Sequence, residues 1–247
     1  MMFTDHSRRP WFLGLDDGYD FGLLQTTLYS ARVATTLQPH VLHTGLHPRK
    51  LDYLRRHGVP ALEVQPDRKI ANGDRHPGAL LRMYIPKIAA SIGVTGTVLY
   101  TDSDVMFWED PPTPNVTVIA GSSYIPDVKS SVANTVNSGV LYLNLDELSK
   151  SVDDFLAFAL ANPKKHNAAA ESIYNHYYDV EALSYRYNFF SYWDRMALAR
   201  PIIMHFHGPK PNSDSHQDIL AEYLTPHFNR HRELWLVLDR TRRYHGH

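Results

Sequence analysis

Two aspartates, Asp102 and Asp104, follow the strand-forming run Val98 to Thr101 with one residue, Ser103, between them. In an extended backbone, side chains two positions apart point to the same face. Both carboxylates can therefore grip one hard divalent cation at the end of a buried strand. Ligands of open α/β sheets sit at the carboxyl ends of strands, and a diphosphate-bearing substrate is the natural partner of a carboxylate-held metal there. The competing reading is a solvated acidic turn.

The elements that must position this pair read as alternating strands and helices. Trp11 to Leu15 is an apolar strand, followed by the turn DDGYD and by Leu24, Leu28 and Ala31 at helical spacing. His40 to His43 is the next strand. Pro48 to Gly58 is a short helix with a Pro start and a Gly stop, and Ala61 to Val64 is a third strand. Ala79 to Ile92 reads as helical with a break at Pro86, and Gly96 leads into the strand that carries the aspartates. Val116 to Ala120 and Gly139 to Leu145 follow as strands, and Asp146 to Leu160 as a helix. Alternation on this scale predicts an α/β class with a mainly parallel sheet. Neither an internal repeat nor an interdomain linker is evident, so residues 1–247 read as a single domain. Residues 1–10 are expected to be flexible, and the polar, aperiodic segment 66–78 to form a mobile loop.

Composition narrows the chemistry. A chain of 247 residues with 43% hydrophobic content can bury a sizeable core. With 25 basic and 26 acidic residues it has no global field to attract nucleic acid. Cysteine is absent, which excludes disulfides, thiolate metal sites and cysteine nucleophiles. No window approaches the roughly 18 apolar residues of a membrane span, so a soluble, cytoplasmic protein is expected. The 15 histidines are scattered, and most read as surface or core residues.

Four segments in order carry a resemblance: FLGLDDGYDFGLL, then LLRMYIPKI with VLYTDSDVMF, then NSGVLYLNL, then HFHGPKP. Together they span most of the chain and resemble the GT-A glycosyltransferases of family 8, the group that includes glycogenin and the bacterial lipooligosaccharide galactosyltransferases. The resemblance implies a Rossmann-like GT-A fold with helices on both faces of the sheet. It also implies a retaining transferase that moves a hexose from a UDP-sugar, with Mn2+ bridging enzyme and diphosphate. Asp102 and Asp104 would then be oxygen ligands, and His205, matching the histidine of the family's HxxG segment, a nitrogen ligand. An imidazole tilts the site from Mg2+ toward Mn2+. His207 competes with His205 for this role, since alternate residues of IIMHFHG could present either ring.

The donor-binding set follows from the same resemblance. Lys210 matches the lysine that meets the diphosphate, although only Pro209 separates it from Gly208 where the family usually has two residues. Arg82 matches an arginine near the donor sugar and diphosphate, and Ser103 is counted with the donor-binding residues. Asn137, Ser138 and Gly139 match a segment whose asparagine contacts the sugar, with the glycine admitting close backbone approach. Asp16 is placed to accept the uracil N3 hydrogen and Tyr19 to stack on the base, with Asp17 a turn residue. Each also has a purely structural reading: a helix-surface arginine, a strand-entry turn, a polar cap.

The main departure lies at AAAESIYN, where the family shows an aspartate on the donor hydroxyls followed by a glutamine; this chain has Ala170 and Glu171 in those positions. A carboxylate beneath the anomeric carbon could stabilise an oxocarbenium-like transition state or form a glycosyl-enzyme, so Glu171 is the candidate catalytic residue. The alternative is an exposed helix glutamate. Loss of the aspartate also keeps open a non-catalytic nucleotide-sugar-binding protein; a metal-dependent phosphatase is a third reading of the DxD strand. The basic, apolar-studded segment HFNRHRELWLVLDRTRRYHGH reads either as a packing helix or as a peripheral contact with an anionic membrane that presents a lipid-linked acceptor. The acceptor itself, whether glycan, glycolipid or protein, is not specified.

Overall fold

The computed structural model describes residues 8–67, 77–123, 136–162, 171–192, 200–208, 210–212 and 226–247. Most of the expected 66–78 loop and Ala170 therefore lie outside the described residues, while the first strand already begins at Arg9. In chain order the strands are β1 (Arg9–Leu15), β2 (Leu37–His43), β3 (Ala61–Glu63), β4 (Thr97–Thr101) and β5 (Val105–Phe107). They continue as β6 (Ile119–Ser123), β7 (Val136–Asn144), β8 (Val180–Leu183), β9 (Phe189–Phe190) and β10 (Ile203–His205). The α-helices are α1 (Phe21–Ala34), α2 (Pro48–Arg56), α3 (Ile85–Ser91), α4 (Leu145–Leu148), α5 (Val152–Ala161), α6 (Glu171–Tyr177) and α7 (Pro226–Tyr244). Two 3-10 segments cover Pro77–Tyr84 and Tyr185–Asn188. The elements gather into two compact units, one built from residues up to 19, 38–102 and 112–184, the other from 20–37, 103–111 and 185–247.

The first unit is organised by a seven-stranded sheet of order β3-β2-β1-β4-β7-β6-β8. The pairs β1/β4, β2/β3 and β6/β8 are parallel, and β7 runs antiparallel to both its neighbours. This is the α/β, mostly parallel architecture that the alternation of elements predicts. Phe12, Leu42, Tyr100, Leu141, Phe155 and Ile173 belong to its core. Fully burying one such apolar side chain contributes about 1.5–3 kcal/mol.

Local chemistry explains where helices begin and end. Pro86 does not break a helix interior; it lies in the first turn of α3, where its missing N–H costs no hydrogen bond. The stretch before it, Pro77–Tyr84, is 3-10 rather than α. The helix expected over 146–160 is two helices. Ser149 bonds back to the Leu145 carbonyl through its hydroxyl at 2.6 Å, and the amides of Lys150 and Ser151 tighten onto carbonyls three residues earlier. That competition with the regular ladder ends α4, and α5 restarts at Val152.

The second unit contains a three-stranded sheet of order β5-β10-β9, together with α1 and α7. Strands β5 and β9, of three and two residues, have no sequence signal of their own. Asp20 caps α1 by accepting from the Gly22 amide at 2.8 Å. Thr26 of α1 donates to buried Asp239 of α7 at 3.0 Å, and Asp239 in turn accepts from Arg242.

Candidate functional site

In the first unit, the ends of β1 and β4 carry the residues singled out by type and spacing. Asp16 is buried, its Oδ1 accepting from the Gly18 amide at 3.0 Å and its Oδ2 from the Gly78 amide at 3.2 Å. Gly78 can come this close because it lacks a side chain: a Cβ there would stand 2.6 Å from the Asp16 nitrogen. Tyr19 is half-buried in the same turn, its amide donating to the Asp16 carbonyl at 3.2 Å. Asp17 points elsewhere, accepting from the His47 amide at 2.8 Å at the start of α2.

The register of β4 against β7 pairs Thr101 with Val140, and the Asp102 amide donates to the Gly139 carbonyl at 2.8 Å. This brings the segment Asn137, Ser138 and Gly139 beside the first aspartate. Arg82, 2% exposed, donates to both the carbonyl and the hydroxyl of Ser138 and lies 3.7 Å from Asp102 Oδ1. Its guanidinium also sits 5.1 Å from the centre of the Tyr100 ring. Tyr100 donates its hydroxyl to Asp102 Oδ1 at 2.7 Å, and burial pushes that hydroxyl well above its ordinary pKa, so it remains a donor. Asn137 is buried and accepts from the Gly139 amide at 2.9 Å, an Asx turn that shapes the strand entry. The three segments carrying Arg82, Asp102 and Ser138, distant in sequence, are thus joined. A solvated helix arginine is not what the structure contains.

In the second unit, the β5-β10-β9 sheet organises the residues around Asp104. His205 pairs with Val105 in the antiparallel register, and the Phe206 amide donates to the Asp104 carbonyl at 3.0 Å. Asp104 is 3% exposed, with its Oδ1 3.3 Å from His205 Nε2 and its Oδ2 accepting from the ammonium of Lys210. Burial alone would raise the Asp104 pKa, but the adjacent Lys210 ammonium outweighs it and holds the carboxyl well below the usual range. The Lys210 ammonium also donates to the Phe206 carbonyl at 2.9 Å. Ser103 is buried, and its carbonyl accepts from the Thr27 hydroxyl at 2.9 Å; the same hydroxyl reaches the Val105 carbonyl at 2.6 Å. Helix α1 thereby clamps the backbone around Asp104.

His207 lies past the end of β10, its ring stacked on Phe190 at 4.6 Å and 14°. Within the second unit, Asp104 and His205 are acidic and imidazole side chains placed so as to suit a metal ion, and His207 is not among them. Glu171 is the first residue of α6, whose Ile173 and Tyr174 are buried. The residues that spacing and motif did not reveal are Tyr100, Thr27 and Asn188. Their roles rest on hydrogen bonds that no periodicity encodes.

The donor set on Asp104 and His205 is suited to a cation. Asp104 Oδ1 is buried without a hydrogen-bond partner, which is costly unless something positive faces it. His205 Nδ1 is 2.9 Å from Asn188 Oδ1. An amide oxygen only accepts, so this contact calls for the proton on Nδ1, and a neutral ring then keeps its lone pair on Nε2.

No family model matches the sequence, and comparison with curated proteins gives no match. Solved structures do match. The galactosyltransferase LgtC in complex with donor and acceptor sugar analogs superposes with a TM-score of 0.70 at 17% identity, over 94% of this chain and 95% of that one. An active-site mutant of LgtC, a glutamine replaced by glutamate, gives 0.67 at 19% identity over 86% and 92%. The glycosyltransferase GlyE of Streptococcus pneumoniae TIGR4 gives 0.62 at 18% identity, over 95% of this chain and 62% of that one. The chain therefore has the GT-A glycosyltransferase fold that the four motifs imply.

Proposed function

We propose that this protein is a glycosyltransferase that moves a hexose from a UDP-sugar to a glycan, glycolipid or protein acceptor, with retention of anomeric configuration and with a divalent cation at the diphosphate. The observation that carries the reading is the buried pair of Asp104 and His205, a carboxylate oxygen and a ring nitrogen 3.3 Å apart, both of types that ligate metals. Asp102, two residues before Asp104 in the chain, would complete the ligand set. An imidazole among carboxylates favours Mn2+, with Mg2+ the alternative occupant. Bound there, a divalent cation neutralises charge that grows on a diphosphate leaving group.

The chain's own residues divide the remaining work. Arg82 is held by Ser138 beside Asp102 and offers a fixed positive charge near the same anion. Lys210 offers a mobile one. Asp16 and Tyr19 would read and stack on the uracil, and Asn137 and Ser138 would meet the sugar. Glu171 would act beneath the anomeric carbon, its carboxylate stabilising positive charge as UDP departs.

Helix α7 exposes Leu234, Val237 and Tyr244 together with Arg230, Arg240 and Arg243, a combination that suits peripheral contact with an anionic membrane. Among the described residues no helix is long and apolar enough to cross one.

The test is release of UDP from a panel of UDP-sugars by the purified chain with Mn2+, because donor hydrolysis needs no known acceptor. Hydrolysis that is lost in chelator and in Asp104→Asn is expected. Turnover unchanged in chelator would remove the metal from the mechanism, and donor binding without any turnover would leave a nucleotide-sugar-binding protein.

A further inference from the structure

Asn188 belongs to none of the motifs above, yet it is 1% exposed and its side-chain oxygen meets the ring of His205. We infer that Asn188 is a positioning residue for the metal ligand His205, holding its imidazole in the tautomer and orientation that present Nε2 toward Asp104. The inference rests on the metal reading of the Asp102, Asp104 and His205 group.

Its placement is set by the fold. Asn188 closes the 3-10 segment Tyr185–Asn188, and the next two residues form β9. Strand β9 pairs in parallel with β10, Phe189 opposite Met204 and Phe190 opposite His205. The Ser191 amide then donates to the His205 carbonyl at 3.1 Å. Residues 188 to 191 therefore hold His205 at both ring and backbone, and the Phe190 ring packs edge-on against the imidazole at 5.7 Å.

The tautomer follows from the partners. A neutral imidazole carries one proton, and only the nitrogen without it can ligate a metal. With Asn188 Oδ1 as acceptor at 2.9 Å, the proton belongs on Nδ1. With the proton on Nδ1, a neutral ring keeps its lone pair on Nε2, the nitrogen that lies 3.3 Å from Asp104 Oδ1. Ligand histidines whose second nitrogen donates to a fixed acceptor lose roughly 10- to 100-fold in metal affinity when that acceptor is removed.

The experiment compares four forms of the full chain, the parent, Asn188→Leu, Asn188→Asp and Asp104→Asn, by Mn2+ binding followed by electron paramagnetic resonance without donor. Asn188→Leu keeps the volume and deletes the acceptor, and is expected to weaken Mn2+ binding roughly 10- to 100-fold. Asn188→Asp keeps an acceptor for Nδ1 and is expected to stay near the parent. Asn188→Leu binding as tightly as the parent would overturn the role of Asn188 while leaving the metal site standing. No Mn2+ binding by the parent, or undiminished binding by Asp104→Asn, would overturn the metal site and the Asn188 role with it. Should Asn188→Leu fail to fold, nitrogen-15 shifts of the His205 ring in the metal-free parent, assigned by difference from His205→Gln, decide the question. A protonated Nδ1 and bare Nε2 support the inference, and a proton on Nε2 overturns it.

Discussion

Lys210 donates its ammonium to Asp104 Oδ2, so the lysine matched by motif to a substrate diphosphate is, in the protein alone, the counter-ion of a buried carboxylate. A lysine stem is long enough to serve both anions in turn. Gly208, just past β10, lies in the left-handed region at φ +85°, a conformation that favours glycine.

Removing that counter-ion should expose the cost of the buried charge. Lys210→Met is expected to destabilise the metal-free chain by about 3–5 kcal/mol, because it leaves Asp104 uncompensated. Mn2+ should then restore more of the melting temperature in the variant than it adds to the parent. Equal melting temperatures for both forms in chelator would show that Lys210 does not neutralise Asp104.

Uridine should be preferred over cytidine. The Asp16 carboxylate is fixed by the Gly18 and Gly78 amides, and as an acceptor it would pair with the N3 hydrogen of uracil but face the unprotonated N3 of cytosine. Calorimetry is expected to show tighter binding of UDP than of CDP, with the difference lost in Asp16→Ala. Equal affinities of the parent for the two nucleotides would retire the assignment.

Glu171 opens α6. If its ionised carboxylate acts mainly in the transition state, Glu171→Gln should lower turnover at saturating donor by about tenfold or more, with donor affinity nearly unchanged. A rate within about twofold of the parent would place the catalytic group elsewhere; a merely surface glutamate would give that result with a stability change under about 0.5 kcal/mol.

Stability should fall on mild acidification. Burial lowers the pKa of His43 and His231 below the ordinary 6.5. The folded pKa is the lower one, so the unfolded chain binds more protons, and the stabilisation is complete above 6.5 and lost as pH falls through and below it. Thermal melts at about pH 7.5 and about pH 5.5 should differ, with carboxylates near pKa 4 still ionised at both. Identical melting temperatures would contradict the neutral, buried histidines.

Much of the site's first half could be read directly from the chain. The run before Asp102 reads as a strand and DDG as the turn after β1 from residue type and period, while the place of Gly139 followed from the resemblance. The pairing of Thr101 with Val140 then brought Asn137 and Ser138 to Asp102, a register that alternating apolar residues strongly constrain. Helix ends were less legible. The Ser149 hydroxyl on the Leu145 carbonyl, with the amides of Lys150 and Ser151 bonding three residues back, divided one expected helix into two.

That His205 rather than His207 faces Asp104, that Lys210 meets the same carboxylate and that Asn188 meets the His205 ring are contacts only the tertiary structure decides. All three depend on the β5-β10-β9 sheet, whose strands of three, three and two residues are too short for a periodic pattern and are stable only because they pair. The sequence determined which side chains were chemically able to hold a cation and an anion. Only pairing between segments about a hundred residues apart, Val105 opposite His205, determined which of them face one another, because hydrogen-bond register between distant strands is a property of the folded sheet and not of either strand.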